Sequence, residues 1–178
     1  MKTPVQPIFL IGYRGTGKTT VARLVAQRIA RESIDADDEI ERRAGKSIAS
    51  IFADDGEQRF RDLESEVIAD LARTGLVVAP GGGVVLRDAN REVMQSAGPI
   101  VWLTASIDTV AARMATDAAT PRRRPNLTVA GGREEIETVL AERTPIYQAC
   151  ATFVVDTEGK TPAAVADEIV AQLIQSSP

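Results

Sequence analysis

Short apolar runs alternate with longer segments of helical periodicity along the whole chain. Ile8-Phe9-Leu10-Ile11, a stretch ending near Ile34, Leu76–Ala79, Ile100–Leu103 and Thr152–Val155 read as strands. Apolar positions spaced for one helical face predict helices over Lys18–Arg31, Asp37–Ala44, Ser47–Phe52, Glu57–Arg73 and Asp88–Ser96. Three more follow over Ser106–Met114, Arg133–Gln148 and Thr161–Ile174. Glycines at 45, 56, 75 and 98 fall where helices should stop or turn, and Ser47 is placed to cap the helix after it. Strands alternating with helices imply an α/β domain with a mostly parallel sheet flanked by helices. Residues 115–132, rich in Thr, Arg, Pro and Gly, show no packing pattern, and a stretch of that length in a compact domain suits a lid.

The strongest chemical signal lies between the first strand and the first helix. Gly12-Tyr13-Arg14-Gly15-Thr16-Gly17-Lys18-Thr19 is a P-loop in its expected strand-to-helix setting. Its glycines let successive N–H groups turn inward on phosphate oxygens, and the helix N-terminus adds partial positive charge. Lys18 is expected to reach the β- and γ-phosphates, and Thr19 to offer its hydroxyl to Mg²⁺. The chain therefore reads as a nucleoside triphosphate binder. The Asn-Lys-x-Asp and Asp-x-x-Gly motifs of a regulatory GTPase are missing, and the strand Leu76–Ala79 ends in Pro80-Gly81-Gly82-Gly83 instead of an acidic pair. An N-terminal P-loop with a late lid is the layout of a small-molecule or nucleotide kinase, in which closure over ATP excludes water.

Composition narrows the chemistry further. With 178 residues, 21 basic and 25 acidic side chains, the chain suits one domain with no global attraction to nucleic acid or anionic membrane. An anionic substrate must then be met by locally placed arginines. The absence of histidine leaves carboxylate, lysine or tyrosine as general base. The single Cys150 rules out an internal disulfide and suits a reducing cytoplasm; it reads as a small buried residue near a helix end more readily than as a reactive thiol. No apolar run reaches membrane-spanning length, and Met1-Lys2-Thr3-Pro4 leads into the first strand without a signal-peptide pattern.

Three further clusters each admit two readings. Asp35-Ala36-Asp37 follows the second strand, where one carboxylate suits Mg²⁺ and the other a substrate hydroxyl, or where either is a helix cap. Arg61 and Glu64 share a helical face, as a held guanidinium or as a surface ion pair. Gly81-Gly82-Gly83 either exposes backbone N–H groups to a small ligand or is a flexible turn.

Taken in this order the pieces resemble the shikimate kinase family. The match runs through residues 12–19, Ile34–Asp37, Gly45-Lys46-Ser47-Ile48 with Ile51-Phe52, and Gly56-Glu57 with Phe60-Arg61 and Glu64. It continues through Gly81–Gly83, Arg124-Pro125, Arg143-x-Pro145-x-Tyr147 and Val155-Asp156-Thr157. The resemblance implies a three-layer αβα P-loop NTPase fold of the nucleoside-monophosphate-kinase type, with a central five-stranded parallel sheet and a mobile lid. One domain would span residues 1–178, with a substrate-binding part over 35–64 and the lid over 115–132. The implied reaction moves the ATP γ-phosphoryl group to the 3-hydroxyl of shikimate, with Mg²⁺ as cofactor. By resemblance Gly15, Thr16, Gly17, Lys18, Thr19 and Thr20 hold the phosphates, and Asp35 holds Mg²⁺ through water. Asp37 is the base, Arg61 and Arg143 meet the shikimate carboxylate, and Gly81, Gly82 and Gly83 meet its hydroxyl. Arg124 closes on the transferring phosphate, while Arg113 and Lys160 flank adenine. The chain is expected to act as a cytoplasmic monomer without nucleic-acid or membrane partners. Departures from the family pattern are a longer 113–124 segment, Pro80 before the glycines, and Lys160 where arginine is common. A non-catalytic nucleotide-binding module and a kinase for another hydroxy acid such as gluconate are the alternatives.

Overall fold

The computed structural model describes residues 5–116 and 132–176. Its centre is a five-stranded, fully parallel sheet of order β2-β3-β1-β4-β5. The strands are β1 Ile8–Ile11, β2 Ser33–Asp35, β3 Val77–Ala79, β4 Ile100–Thr104 and β5 Phe153–Asp156. Helices α1 Lys18–Arg28, α2 Ala36–Ala44, α3 Ile48–Leu71 and α4 Asp88–Ala97 alternate with them. They are followed by α5 Ile107–Thr116, α6 Gly132–Cys150 and α7 Pro162–Gln175. The α/β class and parallel sheet implied by sequence are present.

Alternation along β1 builds both halves of the core. Phe9 and Ile11 face a cluster with Ile40, Ile51, Val67, Ile68, Met94 and Tyr147. Ile8 and Leu10 face Val21, Val25, Val165 and Ile169 from α1 and α7. Burial on both faces explains why β1 is a continuous apolar run and not an alternating one. Cys150 ends α6 inside the first cluster, and burial raises its thiol pKa, which suits a packing residue. No helix among the described residues is long and apolar enough to cross a membrane.

Local details refine the expected boundaries. The helix expected to reach Arg31 ends at Arg28, because Ala30 takes φ 52° and the Arg31 N–H turns back to the Ala26 carbonyl at 2.9 Å. The two helices expected on either side of Gly56 form one element, Ile48–Leu71, broken only where Gly56 adopts φ 82° and ψ 169°. Ser47 caps it, accepting from the Ser50 N–H at 3.1 Å. The helix expected to start at Asp37 starts one residue earlier, with Asp35 as its cap. A 3-10 turn, Val84–Leu86, follows the triple glycine and is too short to leave a periodic signal.

Ala30 is exposed and is the non-glycine residue with positive φ among those described. A left-handed L-residue costs roughly 1–2 kcal/mol, partly offset by the looser unfolded chain that glycine brings. Ala30→Gly should therefore add about 0.5–1 kcal/mol and raise Tm by about 1–4 °C in thermal denaturation. A lower Tm would show that the turn is not strained.

Candidate active site

The carboxyl ends of the three neighbouring strands β2, β3 and β1 deliver Asp35, Gly81–Gly83 and the P-loop to one edge of the sheet. This is the edge at which open parallel sheets bind ligands. Parallel pairing puts those three segments side by side although they lie far apart in sequence.

The P-loop leaves β1 with Gly12 at φ 141°, where a Cβ would stand 2.5 Å from the Leu103 carbonyl oxygen of β4. Only glycine fits that close approach. The Thr16 hydroxyl donates to the Tyr13 carbonyl at 2.7 Å and closes the loop. Lys18 Nζ donates to the carbonyls of Gly12 and Tyr13, both at 2.9 Å, so its ammonium lies within the loop. Gly17 precedes α1, and Thr19 and Thr20 are exposed in its first turn. Arg14 forms a buried ion pair with Glu135 of α6 and lies over the Tyr13 ring at 5.7 Å.

Asp35 is a helix cap and also reaches the P-loop. Its Oδ1 accepts from the Asp37 N–H at 2.9 Å and caps α2, while its Oδ2 accepts from the Thr19 hydroxyl at 2.6 Å. A hydroxyl and a carboxylate thus meet beside the phosphate cradle. This is a hard oxygen set of the kind Mg²⁺ takes when phosphates and water complete its shell. No cluster of three or more His, Cys, Asp or Glu gathers among the described residues, so the donor set suits magnesium on a nucleotide better than a dedicated cage. Asp37 sits half-buried in the first turn of α2 on the same edge.

Across from the P-loop, charge is concentrated on a guanidinium cluster. Arg61 donates to Glu64 Oε2 at 2.9 Å and to Glu57 Oε1 at 3.2 Å. It lies so close to the glycine turn that a Cβ on Gly83 would stand 2.6 Å from Arg61 Nη1. Arg87, after the 3-10 turn, donates to the Arg61 carbonyl at 2.9 Å, to the Ser65 hydroxyl at 3.1 Å and to Asp62 at 2.8 Å. Arg143 is only 8% exposed and has no hydrogen bond or ion pair among the described residues. Glu64, 1% exposed, is the buried carboxylate of the cluster; its Oε1 finds no donor there. Burial pushes the Glu64 pKa up, against the pull of Arg61, Arg87 and Arg143.

The structure brings Lys18, Thr19, Asp35, Asp37, Arg61, Arg143 and Gly81–Gly83 to this edge of the sheet. Arg113 joins them on the nucleotide side, donating to the Thr157 hydroxyl at 3.0 Å and carbonyl at 3.2 Å and to the Gly15 carbonyl at 3.4 Å. The Lys160 N–H donates to the same Thr157 carbonyl at 3.3 Å, while its ammonium pairs with Glu168 of α7 at 2.6 Å. Arg122, Arg123 and Arg124 and most of the expected lid lie outside the described residues. Sequence reasoning assigned no role to Arg14, Arg87, Glu135 or the Tyr147 hydroxyl, since each acts on a partner distant in sequence. Only the Arg61 contact with Glu64 left a local signal, at spacing i,i+3.

A phosphate-binding loop, a carboxylate beside it and a cationic acceptor pocket define the class: a P-loop kinase acting on a small anionic molecule. A model of the shikimate kinase family matches residues 14–174. The shikimate kinase of Rhodopirellula baltica is 42% identical over 174 residues, covering 97% of this chain and 91% of that one. A solved shikimate kinase from Acinetobacter baumannii in complex with shikimate superposes with a TM-score of 0.90 at 32% identity, covering 97% of this chain and 95% of the other. A gluconokinase from Sinorhizobium meliloti 1021 reaches a TM-score of 0.52 at 16% identity over 97% and 98% of the two chains, a likeness of fold alone. The chain belongs to the shikimate kinase family.

The raised Glu64 pKa has a consequence for stability. Between the ordinary value of 4.5 and its higher folded value, the native state holds a proton that the unfolded state has lost, so stability falls as pH rises through that window. Glu64→Gln removes this slope. The Tm of the variant relative to wild type should climb as pH is raised from 4.5 toward neutrality. A pH-independent difference would place the carboxylate in an ordinary environment.

Proposed function

We infer that the chain transfers the γ-phosphoryl group of ATP to the 3-hydroxyl of shikimate, giving shikimate 3-phosphate and ADP. The observation that carries the reading is Arg143. A buried guanidinium with no hydrogen bond or ion pair among the described residues, beside a Glu64 carboxylate already bonded to Arg61, is suited to an anionic ligand, and shikimate supplies a carboxylate. Arg61 stands close to the glycine turn to share that anion, with Glu64 and Glu57 fixing its guanidinium. The N–H groups of the glycine turn are suited to an acceptor hydroxyl.

Phosphoryl transfer asks for alignment and neutralised charge more than for covalent help from the protein. The backbone from Gly15 to Thr20 cradles the phosphates, and Lys18 transfers its hydrogen bonds from the loop carbonyls to phosphate oxygens. Thr19 and Asp35 would hold Mg²⁺, which supplies positive charge on the phosphates when bound. The acceptor oxygen forms a bond to the γ-phosphorus as the bond to ADP breaks, and its proton passes to the Asp37 carboxylate. With histidine absent, a carboxylate at this place is the available base. Arg113 is placed to border the nucleoside. The roles of Arg124 on the transferring phosphate and of residues 115–132 as a lid rest on the Arg-Pro pattern and the sequence. A cytoplasmic monomer is part of the same proposal, in keeping with a single buried cysteine. A gluconate acceptor is not favoured, because likeness to the gluconokinase extends to the fold only. Nor is a non-catalytic module, since Lys18, Asp35, Asp37, Arg61 and Arg143 all stand at one site.

Arg143→Lys tests the reading, because a point charge replaces a two-pronged donor. In a coupled ADP-release assay the shikimate KM should rise roughly ten- to a hundredfold, the cost of one charge-assisted contact, with the ATP KM little changed. An unchanged shikimate KM would remove Arg143 from acceptor binding.

A further inference from the structure

Tyr147 lies one turn beyond Arg143 on α6 and is fully buried, its ring stacked on Trp102 with centroids 5.7 Å apart. Its hydroxyl donates to the Gly82 carbonyl at 2.5 Å, across 65 residues of sequence. Gly82 also packs on the P-loop: a Cβ there would lie 3.2 Å from the Gly12 carbonyl oxygen, 3.5 Å from the Tyr147 hydroxyl and 3.7 Å from the Arg14 nitrogen. Gly82 is thus in contact with both the phosphate loop and the phenol, and its carbonyl is fixed by the phenol. All peptides here are trans, and a trans peptide sets its C=O and N–H on opposite sides. Fixing the Gly82 carbonyl on Tyr147 therefore aims the Gly83 N–H away from it. Gly83 is buried against the Arg61 guanidinium, and its N–H has no acceptor among the described residues.

We propose that Tyr147 is a positioning residue for the acceptor. Its hydroxyl sets the Gly82–Gly83 peptide so that the Gly83 N–H meets a shikimate hydroxyl within reach of Arg61 and Arg143. Tyr147 and Arg143 lie one turn apart on the same helix, so α6 carries both the group that fixes the glycine turn and the guanidinium beside it. The inference rests on the reading of the glycine turn as part of the acceptor site.

Tyr147→Phe keeps the ring and its stacking and removes only the hydroxyl. Trp102→Leu loosens the packing of the same ring but keeps the hydroxyl. Steady-state kinetics and shikimate binding are measured on the full chain for both, well below their Tm values. Tyr147→Phe should raise the shikimate KM and Kd roughly five- to thirtyfold, as expected for one buried hydrogen bond, and leave the ATP KM within about twofold. Trp102→Leu should lower Tm and leave the shikimate KM within about twofold of wild type, which a merely structural role for the tyrosine would not produce. An unchanged shikimate KM in Tyr147→Phe, or an equal rise in both variants, overturns the proposal and leaves the acceptor site standing. Failure of the wild-type chain to bind shikimate overturns the acceptor assignment and the proposal with it.

Discussion

A buried guanidinium with no hydrogen bond or ion pair among the described residues, Arg143, is the constraint around which the acceptor side is read. Arg61 and Arg87 each have carboxylates within hydrogen-bond reach, and Arg143 has none among the described residues. Removing a guanidinium from water is costly unless an anion replaces the lost hydration. Glu64 moderates the cluster without neutralising it: burial raises its pKa, and one of its oxygens is committed to Arg61. Basic groups are thus gathered locally even though the whole chain carries a formal net charge of −4. On the proposed reading, attraction of the substrate is a local property, set by a few desolvated groups and not by the field of the protein.

The sheet converts that local chemistry into a reaction site. Because β3 pairs with both β2 and β1, Asp35, the glycine turn and the P-loop emerge in adjacent positions. A Cβ on Gly82 would stand a tight 3.2 Å from the Gly12 carbonyl oxygen, so the glycine turn and the phosphate loop pack backbone against backbone. Helix α6 bridges the same two regions, through Glu135 to Arg14 and through Tyr147 to Gly82, with Arg143 between them. Rigid backbone contacts of this kind favour a fixed separation between the transferred phosphorus and the receiving oxygen, the quantity on which an in-line transfer depends.

Much of this was legible in the chain. The apolar runs located all five strands, because β1, β3 and β4 are buried on both faces and tolerate few polar residues. The P-loop announced itself through glycines that the Leu103 carbonyl and the loop's own turn demand. Asp35 shows where sequence stops: cap and metal ligand were posed as alternatives, whereas two carboxylate oxygens allow both. The break at Gly56 was legible but not the continuity of the helix through it. Arg143 was reached only through family resemblance, since nothing local separates it from exposed Arg133 on the same helix. The ties from Tyr147, Arg87 and Arg14 were invisible for a plain reason. Each joins groups 22 to 121 residues apart, and a hydrogen bond to a backbone carbonyl or an isolated carboxylate leaves no pattern in sequence.

The central claim is that the acceptor is held through its carboxylate by desolvated guanidinium groups. The most direct measurement compares kcat/KM for shikimate and for its methyl ester with the wild-type chain at saturating ATP. The ester keeps the ring and all three hydroxyls and replaces the carboxylate by a neutral group one methyl larger. The account predicts a fall of roughly ten- to a hundredfold or more for the ester, since a charge-assisted contact is lost and Arg143 is left buried without an anion. Equal kcat/KM for acid and ester would contradict it.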